Sequence, residues 1–199
     1  MRIVAGRLKG RRIAAPEGTE IRPTSDRARE SLFNILAHNP QLGAGEHGAP
    51  IRDAIVLDAF AGSGALGFEA LSRGAAHAIF LDNEFQALRS IKANAETLGE
   101  LANVTILKAD ATRPPMVSRE AGRTASLVFL DPPYGKGLAA PALVALAAAG
   151  WIAPDAIVSV EVGPGETGPR ENFAAPEGFV LIDARRYGKA TITLLRYEG

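Results

Sequence analysis

The chain has 199 residues, 47% of them apolar and 22% charged, with a formal net charge of zero. That length suits one well-buried domain with a short appendage, and the charge balance excludes a protein that coats nucleic acid indiscriminately. Cysteine is absent, which excludes a disulfide framework and any cysteine-based metal site and fits a reducing cytoplasm; no metal centre is expected.

The first residues, Met1 to Arg7, have no long apolar core behind their charge, so no secretory signal is expected. Arg2 to Gly6 and Gly10 to Ala14 read as two short strands about a glycine turn, a basic β-hairpin extension over residues 1–22 ahead of a main domain over 23–199. Residues 1–29 carry eight Lys/Arg (Arg2, Arg7, Lys9, Arg11, Arg12, Arg22, Arg27, Arg29) against three acids, so about +5 is concentrated here. Such a patch on a neutral chain suits an anionic partner.

Thr24, Ser25 and Asp26 offer an N-cap to a helix reaching about Ala37. Its apolar face is Ala28, Leu32, Ile35 and Leu36, with Arg27, Ser31 and Asn34 opposite. Asn39 to Pro50 is rich in Gly and Pro and reads as a loop.

From Ile55 short apolar strands alternate with helices. The strands are Ile55 to Leu57, Ala78 to Leu81, Val104 to Leu107, Leu127 to Leu130 and Ile157 to Glu161. The helices run from Ala65 to a stop at Gly74, from Phe85 to a stop at Gly99, and through the Ala-rich stretch Leu138 to Ala149, which is too short to span a bilayer. Two last strands, Phe179 to Ile182 and Ala190 to Leu195, form a hairpin turned near Gly188. The pattern predicts an α/β fold of about seven mostly parallel strands covered by helices on both faces.

Gly62-Ser63-Gly64-Ala65-Leu66-Gly67 follows a strand and opens a helix, so the backbone can turn tightly and approach a ligand. Asp82 ends the next strand 20 residues after Gly62, where a carboxylate can accept both ribose hydroxyls of an adenine nucleoside. Asp58 sits four residues before Gly62, able to face an ammonium group, and Asp110, with Ala111 beside it, could bond an adenine amino group. Acids at the ends of four strands favour a cationic ligand such as S-adenosylmethionine over a diphosphate.

Asp131-Pro132-Pro133-Tyr134 ends the fourth strand. An exocyclic amino group on a base is a poor nucleophile, because its lone pair is delocalised into the ring. It needs acceptors for its N–H groups and a flat surface for the base. The Asp131 carboxylate and the Pro132 carbonyl can accept, the two prolines hold that carbonyl rigidly, and Tyr134 can stack on the base.

These four residues resemble the (Asp/Asn/Ser)-Pro-Pro-(Tyr/Phe) motif of Rossmann-like class I amino-methyltransferases. More narrowly, Arg2 to Arg12, Arg22 to Leu36 and Asp58 to Ala75 resemble the RsmD family, bacterial 16S ribosomal RNA guanine-N2 methyltransferases. The resemblance implies a monomer that uses S-adenosylmethionine, held by Asp58, Phe60, Gly62, Gly64, Asp82, Asp110 and Ala111. It further implies an N-terminal hairpin touching RNA, through Arg2, Arg7, Lys9, Arg11, Arg12, Arg22 and Arg27, and an assembled small ribosomal subunit as substrate. An amino-methyltransferase acting on another RNA or on DNA would share the tetrapeptide. A nicotinamide-linked oxidoreductase would need a proton relay that His38, His47 and His77 are poorly placed to give, and an RNA-binding assembly factor would not need Asp131 at all.

Overall fold

The computed structural model describes residues 1–16, 26–42, 50–117, 124–166 and 173–199, with backbone alone for Asp26 and Arg27. Its elements are α1 (Asp26–His38), β1 (Ile55–Ala59), α2 (Ala65–Ser72), β2 (His77–Asp82), α3 (Phe85–Leu98), β3 (Val104–Lys108), β4 (Ala125–Leu130), α4 (Ala139–Ala148), β5 (Ile152–Val162), β6 (Phe179–Tyr187) and β7 (Ala190–Tyr197). One seven-stranded sheet takes the order β3-β2-β1-β4-β5-β7-β6. Strands β1 to β5 are mutually parallel, and β7 lies antiparallel between β5 and β6.

Continuous apolar strands follow from burial on both faces. Successive residues of β1 serve opposite sides: Val56 joins the core beneath α1, α2 and α3, while Leu57 joins the core beneath α4. Phe33, Phe68, Phe80 and Phe129 fill the first core, with Phe33 and Phe129 ring centroids 5.5 Å apart and those of Phe68 and Phe80 4.8 Å apart. Complete burial of each such ring is worth about 1.5–3 kcal/mol. The chain leaves β1 toward β2 and β3, then returns to β4 on the other side of β1. That reversal opens a crevice at the C-terminal ends of β1 and β4, where ligands bind in open sheets of this kind.

Helices α3 and α4 lie within a residue of the spans expected, and Gly99 caps α3 in the left-handed conformation. Helix α2 stops at Ser72, short of the expected Gly74. On α1, Arg29 is fully buried beside Glu69, an interior ion pair that the apolar periodicity did not announce. The expected N-terminal strands are a turn closed by one antiparallel bridge, Arg2 to Arg12. Its outward N–H groups, those of Val4 and Ala5, bond the Glu69 carboxylate at 2.7 and 2.9 Å, while Ile3 to Arg11, Gly10 to Ile3 and Ile13 to Met1 are the backbone bonds across it. Ile3, Leu8 and Ile13 bury themselves in the first core, so the turn packs on the helices. Arg22, the Thr24–Ser25 cap and parts of the loops 39–50 and 164–176 lie outside the described residues.

Candidate functional site

Strand β1 ends in a tight turn. Phe60 takes φ 63°, a left-handed conformation that costs a side-chain-bearing residue about 1–2 kcal/mol. The Gly62 N–H then donates to Asp82 Oδ2 at 2.8 Å, and the Glu84 N–H donates to Asp82 Oδ1 at 2.9 Å. Both carboxylate oxygens keep a lone pair for a ligand hydroxyl. Lower in the turn, the Gly67 N–H donates to Asp58 Oδ2 at 2.9 Å. A Cβ on Gly67 would stand 2.3 Å from the Phe80 ring, so only glycine lets α2 descend this far onto the sheet.

The register sets a row of side chains along the sheet edge. Ala59 pairs with Leu81 and Leu130, and Leu130 with Val160. One residue further along these four strands stand Phe60, Asp82, Asp131 and Glu161. Asp58 lies one layer below and is buried. Burial, opposed by the Gly67 N–H and reinforced by the nearby charges of Asp131 and Asp82, pushes its carboxyl well above the ordinary aspartate range. A cationic ligand at this edge would relieve that repulsion; a phosphate would add to it.

Beyond β4 the chain turns through Asp131-Pro132-Pro133-Tyr134. The Tyr134 hydroxyl donates to Glu161 Oε1 at 2.5 Å. Its ring lies over Gly163, where a Cβ would approach ring carbon Cγ to 2.6 Å. Glu166 then accepts the Gly163 N–H at 3.1 Å and the Gly137 N–H at 3.0 Å, tying the loop after Tyr134 to the end of β5. Ring orientation at Tyr134 is thus fixed by three residues distant in sequence, all missed by sequence reasoning. The one available signal was the acid ending the fifth strand, Glu161, in line with the acids ending the others.

These parts share one cavity of about 650 Å³, a size suited to a nucleoside-sized ligand. Asp58, Phe60, Gly62 and Asp82 line one half, and Asp131, Pro132, Pro133 and Tyr134 line the other. Met1, Ala15 and Pro16 border it, and Lys136 is the one Lys or Arg among its described lining residues. Gly64 shapes the turn at φ 77° without lining the cavity. Asp110 and Ala111 are not brought to it. The Asp110 carboxylate is taken up by the Thr112 hydroxyl at 2.7 Å and the Thr112 N–H at 2.9 Å, bonds that with Arg113 hold its pKa below the ordinary range against a small opposing effect of burial. Ala111 is in the core beneath α4.

Of the basic residues expected to meet RNA, Arg7 is bonded through both terminal nitrogens to Glu100. Burial pushes the pKa of Glu100 up, and the hydrogen bonds from Arg7 and Asn103, together with the Arg7 charge, outweigh it and hold the carboxyl low. Arg11 donates to the Thr97 carbonyl. Arg2, Lys9 and Arg12 project from the turn exposed. Asn94 links this turn to the glycine turn: it bonds Ala14 through both amide groups, at 2.8 and 2.9 Å, and donates to the Ser63 carbonyl at 3.0 Å. Arg22 and the Arg27 side chain lie outside the described residues.

A family model described as "Conserved hypothetical protein 95" matches residues 1–196. Ribosomal RNA small subunit methyltransferase D of Escherichia coli is 37% identical over 161 residues, covering 81% of this chain and 74% of that protein. The protein of the same name from Haemophilus influenzae is 34% identical over 194 residues, covering 94% of this chain and 89% of its own length. Among solved structures, yhhF of Escherichia coli superposes with a TM-score of 0.77 at 31% identity, over 100% of this chain and 98% of that one. More distant neighbours, at 16% identity or less, share the same Rossmann-like α/β fold.

Proposed function

Since this chain belongs to the family of the ribosomal RNA small subunit methyltransferase D proteins, we propose that it transfers a methyl group from S-adenosylmethionine to the exocyclic N2 of a guanine in small-subunit (16S) ribosomal RNA. The observation that carries this reading is the single cavity in which the glycine turn with Asp82 faces Asp131 and Tyr134.

When bound, S-adenosylmethionine supplies an electrophilic methyl on a sulfonium. Asp82 would accept its ribose hydroxyls on the remaining lone pairs, and Asp58 would face its ammonium end. The target guanine stacks on Tyr134, an interaction worth about 1–3 kcal/mol. Asp131 and the Pro132 carbonyl would accept hydrogen bonds from the two N2–H groups and so turn the nitrogen lone pair toward the methyl. Such alignment supplies up to roughly 7–11 kcal/mol of the barrier. As the N–CH3 bond formed, the methyl's bond to the sulfonium sulfur would break to leave a neutral thioether, and the nitrogen, now acidic, would lose one proton to Asp131 or water, so no strong base is required. Asp58 and Asp82 favour the donor's positive charge.

The preferred substrate is an assembled small-subunit particle, the enzyme acts as a monomer, and the site of action is the cytoplasm, where those particles are. Among the described residues no helix is long and apolar enough to cross a membrane. The test supplies labelled S-adenosylmethionine to small subunits from cells lacking the enzyme and maps modified nucleosides by mass spectrometry. One labelled N2-methylguanine is expected. No transfer to ribosomal RNA, or transfer to DNA instead, defeats the proposal.

A further inference from the structure

We infer that the tip of the β6–β7 hairpin is a second RNA-binding surface, holding phosphates beside the target base at the opposite end of the sheet from the N-terminal turn. The inference rests on the RNA-methyltransferase reading above and adds to it a surface outside the residues so far assigned to RNA.

Three cations stand within five residues at this tip, Arg185, Arg186 and Lys189, with no acid between them, and all three are exposed. Their place follows from strand register. Thr191 pairs with Val162 and Arg186 with Thr191, so the tip lies just past the C-terminal end of β5. That is the edge bearing the cavity, and Gly163, the residue after β5, carries the Tyr134 ring. Neighbouring strands are about 4.8 Å apart, so β6 runs roughly 10 Å from the support of the stacking residue.

The tip is also held in place. Tyr187 shares a hydrogen bond with Ser31 of α1 at 2.8 Å, the Arg186 Nε donates to the Gly188 carbonyl at 3.2 Å, and the Arg185 Nε donates to Asp183 at 3.0 Å. Arg185 and Arg186 are consecutive on β6 and so leave the sheet on opposite faces, with Arg185 ion-paired to Asp183 and the strand fixing where each side chain starts.

Electrostatics explains why such a surface is needed. The cavity is lined by Asp58, Asp82, Glu84 and Asp131, with Lys136 as its cation among the described lining residues. A polyanion whose base enters an acidic cavity is repelled at the mouth. It must be held by cations to either side. Arg2, Lys9 and Arg12 stand on a turn fastened to α2 and α3, which pack over β1, β2 and β3. The hairpin tip occupies the other end of the sheet, next to the base half of the cavity. Arg2, next in the chain to the cavity-lining Met1, and the hairpin tip thus lie toward different edges of the sheet.

The test compares wild type with the triple variant Arg185→Ala, Arg186→Ala, Lys189→Ala, using small ribosomal subunits that lack the methyl group as the probe. Removing one phosphate-binding cation lowers the slope of log affinity against log salt by about 0.7 on single-stranded RNA, so with three removed the slope should fall by up to about 2. The KM for particles should rise roughly 10- to 100-fold at moderate salt. S-adenosylmethionine affinity and thermal unfolding should match wild type, which separates weakened RNA binding from misfolding. An active wild type with an unaltered slope and KM in the variant overturns the surface alone. A wild type that methylates no particle overturns the functional reading, and the surface with it.

Discussion

The two halves of the cavity are built by different means. On the donor side, Asp58, Gly62, Gly67 and Asp82 fall within 25 consecutive residues, and backbone N–H groups hold the carboxylates. On the base side, Asp131 to Tyr134 form a short corner whose aromatic ring is oriented by Glu161, Gly163 and Glu166, about 30 residues further on. The first half is a local device that any β-strand, glycine turn and helix can make. The second is a long-range clamp, which positions a ring only when β4 and β5 lie side by side. Substitutions should therefore separate cofactor binding from base positioning.

The sharpest separation is expected from Asp131→Ala. Removing one preorganised polar partner of a transition state costs about 10²–10³-fold, so the rate of transfer to ribosomal particles should fall at least that far, while calorimetry shows S-adenosylmethionine affinity within about tenfold of wild type. Equal losses in both measurements would erase the boundary between the halves.

Next in size is Gly163→Ala. The added methyl would meet the Tyr134 ring at 2.6 to 2.8 Å, and the ring must leave its seat. Losing the stack at 1–3 kcal/mol corresponds to about 5- to 160-fold in kcat/KM, with donor affinity unchanged. Glu161→Gln, which keeps an acceptor for the Tyr134 hydroxyl, should retain more activity than Glu161→Ala. If the two Glu161 variants are equally active, the hydroxyl bond does not set the ring.

A smaller effect, opposite in sign for stability, is expected from Asp58→Asn. The folded state holds the Asp58 proton to higher pH than the unfolded chain, chiefly through burial. Its contribution to stability is therefore full below the unfolded pKa of about 3.9 and is lost as pH rises through the folded value. Asparagine keeps an acceptor for the Gly67 N–H without that loss. The melting temperature of Asp58→Asn relative to wild type should therefore climb from pH 4 to pH 8, while donor affinity drops. A pH-independent difference would show that the buried carboxyl is not the cause.

The smallest effect is assigned to Asp110→Ala. Its carboxylate closes a turn with Thr112 and Arg113 and does not line the cavity, so donor affinity should shift less than about twofold, within the few tenths of a kcal/mol expected of surface substitutions. A tenfold loss in a binding titration would return Asp110 to the donor half.

The sequence by itself determined the strand and helix order, the seven-stranded plan, the glycine turn with Asp82, and the Asp131–Tyr134 corner. Each is written in residues adjacent in the chain: apolar runs of strand length, glycines at a turn, an acid where a strand stops. Only the tertiary structure decided what depends on neighbours distant in sequence. It gave the N–H groups of Val4 and Ala5 to Glu69, in an N-terminal turn that carries one bridge where two strands were expected. It bonded Arg7 and Arg11 to α3 and its following turn, and it set Tyr134 on Gly163. The physical reason is common to all three: a hydrogen-bonding or packing group takes the partner that folding brings near, and periodicity along the chain carries no record of which partner that will be.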